Sequence, residues 1–534
     1  MVNQIKMKSQ HYKCSGIFKQ EYQMVNHIKT IILIGLIMAN VAQVKAQAYG
    51  DFPYRQSFTS GTQPSEVSVP TGSGTNDATF TTNGIRLTRA VNNLFGAIFV
   101  NNRQFSTKNG IKIAFEFGMY GGNGADGISM FLFDAAITNP IIGARGGNLG
   151  YSFTRANNDF SSSRKAGLTG AYLGVGFDAF GNFKSRQFQT DKRWNGVNLT
   201  GLSHVTLRGA AGSVLNNTGQ SQGFTGYPVL VTQSTLAVPT GNGGALLNAT
   251  GGGYTFTTGP STGFDLKTTT YASLTSDPDY RKAFIDLFPN NDLLGNNNGF
   301  YVTVKLQHGN TITTVVDNYL YRTSFTYTEN ANAAGNTDLN TLNNAGPDVS
   351  ATLNATVPDF LRIGFAASTG GLNNVHIIKN LVVTLPYAAE TAGDLATTCK
   401  NTPVVIDAYS NDIAYAGLIL LTPVPTASNN NIDPNQFRFL NNDGTPASNP
   451  FLVNNSQGTF TYSPTTKKVT FTPSAGFVGT ASIKYDIKGI TVPVIGGPYG
   501  DEAYRSGPAE ISVKVSKCQV ISNPMLPSKS NQKS

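Results

Sequence analysis

Residues 124–134 read GADGISMFLFD, in which one carboxylate, Asp126, lies between small residues and precedes a run that is apolar on both faces of a strand. Such runs suit the central strands of a β-sandwich, whose two faces are both covered. Elsewhere, IKIAFEF at 111–117 and FYVTVKLQ at 300–307 alternate apolar and polar residues with period two, as half-buried strands do. The sequence therefore predicts an all-β chain with a single acidic side chain at the start of a central strand.

Composition favours the same fold class. Only 13% of the 534 residues are charged, and 57 residues are glycine. A polar, uncharged and turn-rich composition is typical of all-β proteins outside the cell. The length allows about two to four domains, each with a core of its own.

Residues 1–46 are predicted to be a signal peptide and leader. Lys29 precedes the apolar run IILIGLIMANVA at 31–42, and the small residues Val44 and Ala46 follow it, which is the order of a secretory signal and its cleavage site. The run of twelve residues is shorter than the ~20 that span a bilayer. A short membrane anchor is the alternative interpretation.

The leader also carries most of the positive charge. Residues 1–46 contain six Lys and one Glu, a net charge of +5, which leaves +4 of the total +9 for the rest of the chain. A chain of this size at +4 has no strong field to attract nucleic acid or membranes. We therefore expect a secreted or cell-surface protein with no nucleic-acid partner and, after cleavage, no transmembrane segment. The start residue is either Met1 or Met24.

Cysteine use agrees with secretion. Cys14 lies in the leader, so the remaining chain contains only Cys399 and Cys518. An even number in an oxidising compartment predicts that the two pair and tie together the ends of the segment between them. Two unpaired thiols are the alternative.

A composition change near residue 388 predicts a domain boundary. A strand ends at Pro386, a short Ala/Thr linker follows, and two-residue alternation resumes in KKVTFTPSAGFVGTASIKYDI. The predicted domains are 47–387 and 388–518, with a tail at 519–534 that is expected to be disordered or to join a further part. Within the first domain, 210–299 shows no clear pattern and is expected to form short hairpins and loops, except for a predicted strand, RKAFIDLF, at 281–288.

Four segments in one order resemble the legume-type (L-type) lectins. They are FEFGMYGGNGADGISMFLFD, GARGGNLGY, AYLGVGFDAFGNF and LRIGFAASTGGLNNVHIIKNLVV. The resemblance spans roughly residues 49–385 and implies a concanavalin-like jelly-roll sandwich with a sugar site on loops at one edge. Residues 399–518 resemble the Ig-like or cadherin-like modules of bacterial surface proteins of the Bacteroidetes type, which implies a second, smaller β-sandwich.

The resemblance implies a set of sugar-binding residues. The Asp of the ADG motif accepts hydrogen bonds from sugar hydroxyls, a Gly of the GG motif donates a backbone N–H, and the Asn of the loop FDAFGN adds a further bond. An aromatic ring packs against the apolar face of a sugar. The residues carried over by motif are Asp126, Gly146 or Gly147, Asn182, Phe180, and Gly370 and Gly371 of the closing loop. The family also has a cis peptide before this Asp.

The resemblance implies a calcium site more weakly. Asp178, the Phe180 carbonyl and Asn182 match the family's oxygen ligands, and such ligands suit a hard cation. Ser185 occupies the place of the second Asp, so Asp191 would have to substitute for it. A transition metal is not expected, because Gly176 replaces the family's Glu and leaves His204 without a carboxylate partner. His204 is then a structural or surface histidine.

Other candidates have plainer interpretations. Trp194, the only tryptophan, either stacks on a sugar or caps the edge of the sandwich. In the second domain, Asp407, Asn411 and Asp412 either ligate calcium or form turns, and turn formation is the commoner role of such residues.

Three function classes compete. The first is a glycan-binding lectin or adhesin, with glycans or polysaccharide as its partner and possible attachment to a cell surface. The second is a glycanase on the same sandwich, which needs two carboxyl groups ~5 Å apart; the strand ending at Asp178 offers one carboxylate and no second acid. The third is a structural surface protein whose lectin-like fold no longer binds sugar. We therefore expect a binding protein and not an enzyme.

Overall fold

The computed structural model describes residues 51–71, 74–153, 167–184, 193–194, 197–198, 202–217, 220–236, 245–247, 254–256, 263–291, 297–329, 349–416, 426–490, 502 and 504–518. The predicted leader and the predicted tail lie outside these residues. The described residues, all from Asp51 onward, belong to one compact unit.

The first part of the chain forms two large antiparallel sheets. The strand order of the eight-stranded sheet is β19 (Thr311–Arg322), β18 (Asn297–His308), β17 (Arg281–Asn291), β6 (Ile111–Tyr120), β23 (Val375–Thr384), β4 (Gly84–Thr88) and β3 (Thr79–Thr81), with β1 (Tyr54–Gln56) also paired to β23. The order of the seven-stranded sheet is β14 (Val229–Ser234), β11 (His204–Arg208), β8 (Ala171–Asp178), β7 (Gly127–Asp134), β22 (Phe360–Ser368), β5 (Phe95–Ser106) and β2 (Val67–Ser68).

Four two-stranded sheets also occur among the described residues of this part. They are β9 (Arg193–Trp194) with β10 (Val197–Asn198), β12 (Ala211–Asn217) with β13 (Gln220–Gly226), β15 (Ala245–Leu247) with β16 (Tyr254–Phe256), and β20 (Ser324–Glu329) with β21 (Val349–Asn354). The predicted strand at 281–288 is confirmed as part of β17, and its side chains alternate between buried and half-buried positions. One short 3-10 turn, Gly146–Asn148, matters for the site.

The two large sheets pack face to face as a jelly-roll sandwich. Phe115 of β6 contacts Phe177 of β8 and Phe365 of β22, with ring centroids 5.7 and 4.9 Å apart. This inner layer belongs to the largest apolar cluster of the described residues. The predicted all-β class and two-sheet sandwich are therefore confirmed.

Strand β7 is apolar on both faces because the seven-stranded sheet is covered on both sides. Ile128, Met130 and Leu132 point into the cluster between the sheets. Phe131 and Phe133 point the other way, into a second aromatic cluster that also includes Tyr151, Phe183 and Tyr227. Because both faces are buried, β7 is held rigidly. Asp126, the residue just before it, is therefore attached to a rigid strand.

The segment after residue 388 has its own core, built from apolar residues between Ala389 and Val515. One sheet has the order β24 (Asp394–Cys399), β33 (Ala509–Ser516), β32 (Gly479–Asp486) and β28 (Arg438–Leu440). The other has the order β25 (Val404–Ile406), β31 (Lys468–Pro473), β30 (Gly458–Ser463) and β29 (Leu452–Asn454), and β26 (Ala414–Ala416) pairs with β27 (Thr426–Ser428). Short 3-10 turns lie at Asn429–Asn431 and Pro434–Gln436.

The predicted disulfide is confirmed, since Cys399 and Cys518 are bonded across a separation of 119 residues. It lies at the end of the parallel pair β24–β33. The assignment of this segment as Ig-like, and the boundary at 387/388, stay predictions. In the part of the chain that the structure describes, no helix is long and apolar enough to span a membrane.

An ion pair joins the first sandwich to the segment after 388. The ammonium of Lys112, on β6, contacts Glu390 Oε1, which also accepts a hydrogen bond from the Tyr415 hydroxyl at 2.9 Å. Burial opposes ionisation of Glu390, but the charges of Lys112 and Lys305 outweigh it and lower its pKa to about 2. The carboxylate is therefore stabilised in the folded protein.

We expect Lys112→Met to lower the free energy of unfolding at pH 7 by about 3 kcal/mol, because it leaves the Glu390 carboxylate buried without its partner. The pKa of Glu390 is lower in the folded chain than its ordinary value of 4.5. The pair's contribution is therefore complete above pH 4.5 and is lost as the pH falls towards 2. Urea unfolding of the wild type, Lys112→Met and Glu390→Gln across this range checks this; an equal pH dependence in all three would contradict it.

Candidate functional site

Asp126 lies where three distant segments meet. Its peptide bond with Ala125 is cis, as the resemblance implies. Its backbone N–H donates to the carbonyl of Ser368 at the end of β22 (2.8 Å), and its carbonyl accepts from the N–H of Phe180 (3.0 Å). The backbone thus ties the start of β7 to the closing loop on one side and to the loop after β8 on the other.

The Asp126 carboxylate is buried but not fully satisfied. The residue is 5% exposed, and Oδ2 has no hydrogen-bond donor among the described residues. Burial, reinforced by the negative charge of Asp178, raises the pKa of Asp126 to about 7, while the Asn182 amide opposes the shift. An acceptor of this kind is costly to bury unless a donor reaches it.

Gly147 and Asn182 lie against each other beside this carboxylate. A Cβ atom on Gly147 would lie 2.7 Å from Cγ of Asn182, so only glycine allows the approach. The N–H of Gly146 instead donates to the Ser368 hydroxyl at 2.9 Å. Of the two candidate glycines, Gly147 lies against Asn182, whereas the N–H of Gly146 already has an acceptor. The predicted roles of both glycines in ligand binding stay predictions.

Asn182 supplies a second unsatisfied acceptor. Its side-chain Oδ1 is buried and has no donor among the described residues. Together, Asp126 and Asn182 place two acceptors beside one backbone turn. The predicted trio of Asp126, Gly147 and Asn182 is thus brought together from separate parts of the chain.

The closing loop borders the same place. A Cβ atom on Gly370 would lie 3.7 Å from Asp126 Oδ1, whereas one on Gly371 would meet no atom within 4 Å. Two bonds secure the loop: the Asn93 N–H donates to the Gly370 carbonyl (3.2 Å), and Asn92 Nδ2 donates to the Gly371 carbonyl (3.1 Å). A side chain at position 370 would therefore contact Asp126, whereas one at position 371 would face open space.

Phe180 is the only one of the two predicted sugar-stacking aromatic residues whose side chain lies within the described part of the chain. It is 41% exposed, unlike most aromatic rings in this sandwich. The side chain of Trp194, and the whole of Asp191, lie outside the described residues, so their predicted roles stay predictions.

Asp178 is fully buried and its carboxylate is already engaged. Oδ1 accepts the N–H of Gly181 at 2.7 Å, and Oδ2 accepts the N–H of Phe183 at 2.5 Å. Burial raises the pKa of Asp178 to about 6, opposed by these backbone bonds and by the charge of Lys184. The loop after β8 therefore wraps around this side chain.

Lys184 is the functional candidate that sequence reasoning missed. It is 1% exposed, and its Nζ lies 2.9 Å from Nε2 and 3.1 Å from Nδ1 of His204. Burial lowers the pKa of Lys184 to about 7, against the attraction of Asp178. His204 is itself fully buried, so the structural interpretation holds and the surface interpretation does not. A lysine that follows an aromatic residue in a loop gives no sequence signal of burial.

The described residues do not fit a metal ion. Among them, no three His, Cys, Asp or Glu side chains are close enough to hold one. Both oxygens of Asp178 accept backbone N–H groups, and a cationic side chain, Lys184, already interacts with it. Calcium prefers six to eight oxygen ligands. The calcium site at Asp178, Phe180, Asn182 and Asp191 therefore stays a prediction without support from these contacts.

The acidic residues of the second segment make structural contacts. Asp412 accepts the Ala392 N–H (2.8 Å) and the Tyr485 hydroxyl (2.9 Å). Asn411 donates to the Gly393 carbonyl (3.1 Å), and Asp407 pairs with Lys468. These contacts join distant parts of the segment, so the calcium and turn interpretations of the three residues both stay predictions.

No protein-family model matches this chain, and no curated protein matches it. Among solved structures, the Ca²⁺/Man3GlcNAc-bound exoplasmic/lumenal domain of VIP36 is 12% identical with a TM-score of 0.28, covering 62% of this chain and 90% of its own. Peanut lectin in complex with a 9mer peptide is 14% identical with a TM-score of 0.29, covering 62% and 97%. Lectin UEA-II complexed with galactose is 12% identical with a TM-score of 0.30, covering 62% and 98%. TM-scores of this size assign neither a family nor a function to this chain.

Proposed function

We propose that this protein is a secreted carbohydrate-binding protein, a lectin or adhesin, whose site is formed by Asp126, Gly147 and Asn182. The observation that supports this most is the convergence of two buried, unsatisfied acceptors beside a glycine turn. These three residues come from the start of β7, a 3-10 turn and the loop after β8. A site assembled from separate loops on a rigid sandwich is a common arrangement for ligand binding.

The chemistry of the site suits a sugar. Hydroxyl groups donate hydrogen bonds, and Asp126 Oδ2 and Asn182 Oδ1 are acceptors that such donors would satisfy. Bonds to a carboxylate are stronger than bonds between neutral groups. The exposed ring of Phe180 offers an apolar surface for the C–H face of a pyranose. One edge of the sugar would thus be bound by polar groups and one face by an aromatic ring.

Secretion and surface attachment complete the proposal. The leader-like segment, the low charge of the remaining chain and the disulfide between Cys399 and Cys518 all agree with an oxidising, extracellular location. Single lectin sites bind weakly, so adhesion to a polysaccharide would use several copies.

The geometry favours binding over hydrolysis. A retaining or inverting glycosidase needs two carboxyl groups that both reach the substrate. The carboxylate whose charge acts on Asp126 is that of Asp178. Asp178 is fully buried, and its oxygens accept hydrogen bonds from two backbone N–H groups. Asp126 therefore acts without a second accessible acid from this loop.

A glycan array probed with the mature protein tests the proposal. We expect concentration-dependent binding to a restricted set of glycans and no release of sugar over hours. Reducing sugar that accumulates with time would support the hydrolase instead. A folded protein that binds no glycan would support the structural surface protein.

Gly147→Ala is expected to weaken binding to the best array glycan by about tenfold or more, the value of one hydrogen bond to a charged or well-placed group. The added Cβ would lie 2.7 Å from Cγ of Asn182 and push its amide out of place. Isothermal titration measures the change. In an Asn182→Ala background, Gly147→Ala should have little further effect; additive losses would contradict the steric explanation.

A further inference from the structure

The described part of the loop after β8, residues 179–184, ends at a buried lysine. It follows Asp178, whose carboxylate accepts the N–H groups of Gly181 and Phe183. It reaches Lys184, which is as buried as the core. The ammonium interacts electrostatically with Asp178, so a negative and a positive side chain compensate each other inside the sandwich.

A second strand anchors the same cation. His204 lies directly opposite Asp178 in the antiparallel pairing of β8 and β11. Lys184 Nζ lies 2.9 Å from His204 Nε2. The lysine therefore connects its own loop to the ends of β8 and β11. A metal ion with several ligands would connect the same parts of the chain.

The space beside these residues is filled by an aromatic ring. A Cβ atom on Gly176 would lie 2.2 Å from the ring of Phe183, and the side chain of Arg208 covers that ring with its guanidinium carbon 5.2 Å from the centroid. No carboxylate side chain could project from position 176 while Phe183 keeps this position. The loop is thus built around an aromatic ring and an ammonium group.

We propose that the Lys184 ammonium takes the place of a metal ion as the cation that shapes this loop, so that the site forms without any metal. An ammonium group has three donors and one charge on a flexible stem, so it can contact His204 while its charge acts on Asp178. Asn182 lies between Asp178 and Lys184 in the chain, and its side chain faces Gly147 and Asp126. Lys184 is therefore a positioning residue for Asn182, and its link to sugar binding rests on the proposed function.

Metal alone provides the first test. We expect CaCl2 and EDTA to leave the melting temperature of the wild type unchanged, and Ca²⁺ titration to give no binding heat. A melting temperature that rises with CaCl2 and falls with EDTA would overturn the inference. This experiment needs no glycan, so it distinguishes failure of the inference from failure of the proposed function.

A double-mutant cycle tests the lysine itself. Lys184→Met should lower the melting temperature strongly, because Asp178 is then a buried charge without compensation. Lys184→Met combined with Asp178→Asn should be less destabilised than the sum of the two single variants. The exposed Lys514→Met provides the matched control for loss of one charge. Additive effects, or a Lys184→Met variant as stable as this control, would overturn the inference.

The glycan readout completes the design. Binding of the wild type to its best array glycan should be the same in CaCl2 and in EDTA. Loss of binding in EDTA would overturn the inference and leave the proposed function intact. If no glycan binds while the metal and double-mutant results are as expected, the proposed function fails and the structural role of Lys184 stands.

Discussion

Asp126→Asn is expected to weaken glycan binding by about 100-fold or more while the protein remains folded. The carboxylate is 5% exposed and keeps an unsatisfied Oδ2. Loss of two charge-assisted hydrogen bonds at about 1.5 kcal/mol each gives a change of about this size. Because burial raises the pKa of Asp126 to about 7, ionisation costs stability in the folded state, and the neutral amide removes that cost.

Asp134→Asn is the matched control for this variant. Asp134 ends the same strand, β7, that Asp126 precedes, so it lies at the opposite end of that strand. Its carboxylate accepts a local bond from the Ala136 N–H at 2.9 Å. Titration calorimetry should show wild-type binding for Asp134→Asn. Retained binding in Asp126→Asn, with melting temperatures similar for all three proteins, would contradict the site.

Removal of the disulfide is expected to give the largest change in stability. Serine at both Cys399 and Cys518 should lower the free energy of unfolding by about 4 to 5 kcal/mol, because the bond closes a loop of 119 residues and so limits the conformational entropy of the unfolded chain. Urea unfolding of the double variant measures the loss. Wild type in dithiothreitol should behave in the same way.

The thiol content offers an independent check. A chain that begins after the leader should release no free thiol on unfolding without reductant, since its two cysteines are bonded to each other. Unchanged stability in the double serine variant would contradict the prediction. The destabilisation is expected in the segment after residue 388, because the bond joins two residues of that segment, Cys399 and Cys518.

The sequence predicted those features that depend on the residue types within a single strand or turn. The doubly apolar run after Asp126 predicts a strand covered on both faces, and β7 has this environment. The motif glycines and Asn182 could be placed near Asp126 only through a resemblance, since no local pattern states that three loops meet. The sequence did not distinguish Gly146 from Gly147; in the structure the N–H of Gly146 donates to Ser368, and Gly147 lies against Asn182.

The electrostatics of the loop were not predictable from the sequence. Loss of a Glu at Gly176 is visible in the sequence, yet nothing in the sequence shows that Phe183 fills the space. The role of Lys184 depends on the register of β11 against β8, which places His204 beside Asp178. Register between strands is set by long-range packing, so a buried lysine partner cannot be inferred from spacing.

The covalent bond at the end of the parallel pair β24–β33 has a mechanical consequence. A pull between the first sandwich and the residues that follow Cys518 enters the second segment along β24 and reaches Cys399. From there the load crosses the sulfur bridge directly to Cys518. The 118 residues between the two cysteines are bypassed, so tension on a tethered molecule cannot lengthen the chain by unravelling them.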